Sequence, residues 1–119
     1  MKQLKRLTVL ALGTPLALST VMVAVPTASA DEIGYLVNVN VRPGYNFANA
    51  DQALAYGRGI CDKIASGERY AQLAGDVKAD FSTSDEFQAS YLIGQSAEEL
   101  CPELIWQLRN SAAGYRPPA

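Results

Sequence analysis

Two cysteines, Cys61 and Cys101, constrain this chain more than any other feature, because its first thirty residues direct both to an oxidising compartment. Lys2, Lys5 and Arg6 place three positive charges, and no acid, ahead of an uncharged run from Leu7 to Val25. The run closes on Ala28-Ser29-Ala30, the small-x-small pattern that signal peptidase requires. A retained membrane anchor is the competing reading, since the run approaches the length that spans a bilayer. Against it, Pro15 interrupts the run, Thr14, Ser19 and Thr20 dilute it, and the acidic pair Asp31-Glu32 follows at once. Residues 1–30 are therefore expected to be a cleavable signal peptide removed after Ala30, leaving no stable membrane insertion. Lys5-Arg6 is not a twin-arginine pair and no cysteine precedes Cys61, so the general secretion route without a lipid anchor is expected. The mature protein then belongs outside the cell or in its envelope.

In such a compartment an even cysteine count in a small chain reads as a disulfide, and two cysteines allow one intramolecular pairing. The bridge would close a loop of about 41 residues, which the chain-entropy account credits with about 4 kcal/mol. That is a large part of the stability a small domain can have. The alternative, a redox or metal-binding thiol pair, fits poorly. The spacing is not the C-x-x-C of an oxidoreductase, and the chain has no histidine to complete a zinc site.

Removing the leader leaves 89 residues, enough for one core and one domain over 31–119. It takes away three bases and no acid, so seven bases face twelve acids and the net charge becomes −5 rather than −2. An acidic domain of this kind is a poor fit to nucleic acid or to an anionic membrane.

Residues 31–50 form an N-terminal segment with two open readings. Leu36-Val37-Asn38-Val39-Asn40-Val41 alternates apolar and polar as a short strand does, yet no later segment offers a partner strand. It either lies extended on the helices or is drawn into a helical turn. Arg42-Pro43-Gly44 then makes a turn, and Tyr45 and Phe47 follow it. From Ala50 the pattern is helical. A first helix, capped by Asn49 or Asp51, runs to about Ser66 and stops at Gly67, with Leu54, Gly57, Cys61 and Ile64 in one stripe. Gly57 costs about 1 kcal/mol there relative to alanine, and close approach of another backbone beside Cys61 is the expected reason. A second helix covers about Glu68–Asp80, with Tyr70, Leu73, Ala74, Val77 and Phe81 on its dry side. Thr83 and Glu86 stand in the capping-box relation at the start of a third. Phe87, Tyr91 and Gly94 lie along one line of it, and Ile93, Ala97, Leu100 and Leu104 along the next. Pro102 ends or kinks this helix and opens a short continuation through Trp106 and Leu108. The tail over 114–119 is expected to fray. The fold class is thus all-α, a small bundle of three to four helices with an extended or short-helical N-terminal segment, closed by one disulfide.

Chemistry is sparse. Without histidine, acid–base work would fall to carboxylates, and the adjacent pairs Asp85-Glu86 and Glu98-Glu99 point about 100° apart on a helix. The first suits a helix N-terminus and the second a solvated face. Asp76 and Asp80 share a face but lack the loop oxygens that a calcium site needs. No cofactor, metal or catalytic residue is expected, and the protein reads as a non-enzyme. All ten aromatic residues lie in the mature part. Several can line a contact surface, since tyrosine and tryptophan concentrate at interfaces. Arg42, Tyr45, Phe47 and Tyr91 are the candidate contact residues for a protein partner or a small apolar ligand.

Gly57 four residues before Cys61, the turn residue Gly67, the late Cys101-Pro102 and the entry Tyr35-Leu36 together form a pattern that resembles the mycobacterial secreted domain-of-unknown-function family 732. The resemblance covers residues 33–108. It implies a small helical, disulfide-closed domain exported by an actinobacterium, with Cys61 and Cys101 as the bridge. It carries over no catalytic residue. The alternation at 36–41 departs from the helix that the family implies there. The function expected is a non-enzymatic interaction module of the envelope or extracellular space, or else a carrier of an apolar small molecule.

Overall fold

A computed structural model describes residues 30–118. The expected leader lies outside the described residues except for Ala30, where the first helix begins. Five α-helices follow: α1 Ala30–Asn40, α2 Ala50–Ala65, α3 Tyr70–Asp80, α4 Glu86–Gln95 and α5 Ile105–Ala112. A π-helical turn, Ser96–Leu100, and a 3-10 turn, Pro102–Leu104, join α4 to α5. There is no strand among the described residues. The all-α bundle is as expected, and the short-helical alternative is the one realised at the N-terminus.

Helix α1 forms because its buried positions are spaced for a helix. Tyr35 and Val39, four apart, are both buried, while Val37 and Val41, which complete the alternation, face out. Asp31 and Glu32 sit in its first turn, where negative charge is favoured. The Tyr35 ring lies across α2, its hydroxyl donating to the Ala53 carbonyl at 2.8 Å. A side chain on Gly57 would stand 2.7 Å from that ring's Cζ and 2.6 Å from Leu100 Cδ1. The glycine therefore makes room for two side chains rather than for the neighbouring backbone expected there.

Asn49 caps α2 as expected, its Oδ1 accepting from Gln52 N at 2.8 Å. The start of α4 differs from the capping box. Asp85 is the cap, accepting from the Phe87 and Gln88 amides at 2.9 and 3.3 Å, and Thr83 instead accepts from the Asp85 amide at 3.0 Å. Glu86 is drawn away from the cap to Lys78 and to the Tyr115 hydroxyl. That second bond, with the Tyr70–Tyr115 ring contact at 4.9 Å, docks the start of the tail that was expected to fray.

Cys61 and Cys101 are bonded, with Cα atoms 6.1 Å apart. The bridge joins α2 to the junction before Pro102, where the missing N–H ends the helical ladder. The core lies around it, built from Ile60, Ile64, Leu73, Val77, Leu92, Ile93 and the α1 pair.

Candidate functional site

The turn after α1 sets up the site. Gly44 has φ +112°, and a side chain on it would stand 2.7 Å from Gln88 Nε2. The chain therefore crosses closely over α4 at this point, as only glycine allows. Asn46 follows at φ +53°. This path delivers Tyr45 inward and Phe47 to the surface. Tyr45 is 4 % exposed and donates to the Gln88 carbonyl at 2.6 Å. Burial raises its phenol pKa above the ordinary value, against the opposing pull of the neighbouring Arg42.

Phe47 lies between Tyr56 of α2 and Phe81 at the end of α3, with ring centroids 5.8 and 5.7 Å away. Tyr45 and Tyr56 each approach Phe81 edge-on, at 5.3 and 5.2 Å. The four rings floor an open groove of about 470 Å³, bounded by Asn46, Gln52, Ala55 and Asp80. Tyr56 donates to Asp80 Oδ2 at 2.7 Å, and burial together with that bond drives its pKa upward.

A second assembly adjoins the first. The Arg42 guanidinium lies 4.5 Å from the Phe87 centroid and 5.0 Å from that of Tyr91, within cation–π range of both. Tyr91 donates to the Asn38 carbonyl at 3.1 Å. A polar pocket of about 220 Å³ opens beside Arg42, lined also by Asn40, Gly44 and Asn46, and it shares Tyr45, Asn46 and Phe47 with the groove.

The four candidate contact residues thus fall into two neighbouring pairs, Tyr45 with Phe47 and Arg42 with Tyr91. Phe87, which shares one line of its helix with Tyr91, is 60 % exposed. Its role under Arg42 is foreshadowed only by its i, i+4 relation to Tyr91. Tyr56 and Phe81 were missed as site residues. Phe81 ends the stripe of its helix, and the apolar pattern cannot tell a last core position from a groove floor. Trp106 is also exposed, with Arg109 over its ring at 5.7 Å.

Most of the carboxylates weighed for chemistry make structural contacts. Asp85 caps α4 and Glu86 pairs with Lys78. Asp76 accepts from Lys63 at 3.0 Å, Glu98 is exposed, and Glu99 approaches α1 at Gly34. Among the described residues no cluster of acids and thiols could hold a metal ion, and no helix is long and apolar enough to cross a membrane.

Taken together, these features define a small disulfide-closed helical domain with an aromatic surface groove. A family model described as protein of unknown function (DUF732) matches residues 27–103, and the chain belongs to that family. Comparison with curated proteins and with solved structures gave no significant match.

Proposed function

We propose that this chain is an exported, non-enzymatic binding module of the cell envelope or extracellular space, from a source of the mycobacterial kind that the resemblance implies. Its contact surface is the groove floored by Tyr45, Phe47, Tyr56 and Phe81. The observation that carries this reading is the gathering of four rings from three separate parts of the chain, buried Tyr45 and half-buried Phe47, Tyr56 and Phe81, under one open groove. A domain this small gains most by turning its aromatic rings inward, and rings held at the surface are what interfaces use. The groove is open to solvent, which gives a segment of a partner polypeptide access to it. Its rim of Asn46, Gln52 and Asp80 supplies polar groups to fix the partner's register. The engagement of Asp76, Asp80, Asp85 and Glu86 in structural contacts supports the non-enzymatic part of the reading, and the acid excess after Ala30 argues against a nucleic-acid partner.

A carrier of an apolar small molecule is the second reading, favoured by the groove's volume, which lies within the range of ligand sites. Native mass spectrometry on protein taken from its own host separates the two. The module reading expects a polypeptide partner, lost when Phe47 is replaced by alanine. Retention of a small molecule would transfer the argument to the carrier, and a bare domain under gentle conditions counts against both.

A further inference from the structure

We infer that Arg42 and the polar pocket beside it bind a carboxylate whose apolar substituent lies in the adjoining aromatic groove. The inference deepens the proposed function, since it rests on the groove as the contact surface and names the chemistry that it meets.

The observation behind it is an arginine held over two rings rather than by an acid, with a buried Nε that has no hydrogen-bond partner. Three basic side chains are paired, Arg58 with Glu32, Lys63 with Asp76 and Lys78 with Glu86. Arg42 has no carboxylate within ion-pair distance among the described residues. Instead its guanidinium is fixed against the rings of Phe87 and Tyr91, and its Nε is buried without a hydrogen-bond partner. Holding a guanidinium this way has a cost that the ring contacts offset only partly. Beyond its contact with the Tyr45 hydroxyl, the guanidinium offers its terminal nitrogens, a planar fork that matches a carboxylate in two parallel hydrogen bonds. Asn40 and Asn46 line the same pocket and have no side-chain partner among the described residues, so their amides can complete the donor set.

The geometry favours a singly charged group. One guanidinium balances one negative charge, which favours a carboxylate over a doubly charged phosphate. Continuity with the groove through Asn46 and Phe47 gives the carboxylate an apolar attachment. Such a group is offered by the C-terminus of a polypeptide ending in an apolar residue or by a free apolar acid.

The test is a nitrogen–proton NMR titration of the disulfide-intact mature chain. The probes are acetyl-Gly-Gly-Phe with a free C-terminus, the same peptide as its amide, 3-phenylpropanoate, acetate and inorganic phosphate. The free-acid peptide or 3-phenylpropanoate should move the Arg42 side-chain signal together with the Gly44, Asn46 and Ala55 amides. The amide should bind at least about tenfold more weakly, and phosphate should not bind in its place. Arg42→Gln should abolish the preference for the acid, and Arg42→Lys should restore only part of it, with both variants checked for an unchanged fold by their spectra. Tighter binding of the peptide than of 3-phenylpropanoate identifies a polypeptide terminus as the source, and the reverse identifies a free acid. If acetate moves the pocket while no probe moves Ala55, the carboxylate pocket stands and the groove reading fails. If acid and amide bind alike, or if Arg42→Gln changes nothing, the carboxylate inference is overturned while the groove reading survives.

Discussion

Gly57 is where a single missing side chain decides how two helices meet. An added methyl group would collide with the Tyr35 ring, which cannot retreat without losing its bond to Ala53. Gly57→Ala should therefore lower the melting temperature despite the better helix propensity of alanine, since overpacking costs about 1–3 kcal/mol. Gly59→Ala, on the same helix with open space around it, should raise stability by roughly 0.5–1 kcal/mol. The opposite signs, read in one thermal series, separate steric need from propensity. Glu86 makes a second prediction at this scale. Burial opposes its charge, but hydrogen bonds from Lys78 and Tyr115 outweigh it and hold its pKa below the ordinary 4.5. A lowered carboxylate pKa contributes stability above the ordinary value, and that contribution is lost as pH falls through the carboxylate range. Thermal stability should fall between about pH 6 and pH 3, and Glu86→Gln should flatten that fall. Asp76, hydrogen-bonded to Glu68 and Lys63, is shifted in the same sense, while Glu68 is shifted oppositely by its bond to Asp76, so the variant difference isolates Glu86.

Among the elements, the start of α4 offers the sharpest comparison. Asp85→Ala removes the acceptor for two helix amides and should cost about 1 kcal/mol, whereas Thr83→Ala loses one bond in a turn and should cost clearly less. Equal losses in urea unfolding would return the cap to Thr83. Sequence pattern alone could not decide this, because both residue types cap helices and the choice falls to Glu86, whose partners Lys78 and Tyr115 come from elsewhere in the chain. The helices from Ala50 onward were legible because their buried positions recur at three and four. Helix α1 was ambiguous because Val37 and Val41 are β-branched, sit in an alternating pattern and are exposed, so they report nothing about the face that packs. Half of the candidate site was legible for a related reason. Tyr45 and Phe47 stand in a loop, where aromatic residues draw notice, while Tyr56 and Phe87 sit in helices and Phe81 caps the end of one, where they pass for core.

At the scale of the whole molecule, the bridge, the core and the groove are parts of one arrangement. The disulfide holds α2 against the junction after α4, and α2 in turn supplies Tyr56 and the wall of the groove. Replacing Cys61 and Cys101 together by alanine should cost about 2–5 kcal/mol and lower the melting temperature accordingly, measured against the oxidised protein. On the proposed function, the face formed by Tyr45, Phe47, Tyr56 and Phe81 is where this domain meets a partner. Photo-crosslinking from single positions, in the organism that makes the protein, tests it most directly. A crosslinking residue at Ala55, on the groove wall, should join the chain to a polypeptide, and one at the exposed Asn110 of α5 should not. Phe47→Ala should remove the product while leaving the domain folded. Equal products from Ala55 and Asn110, or none from Ala55, would contradict the account.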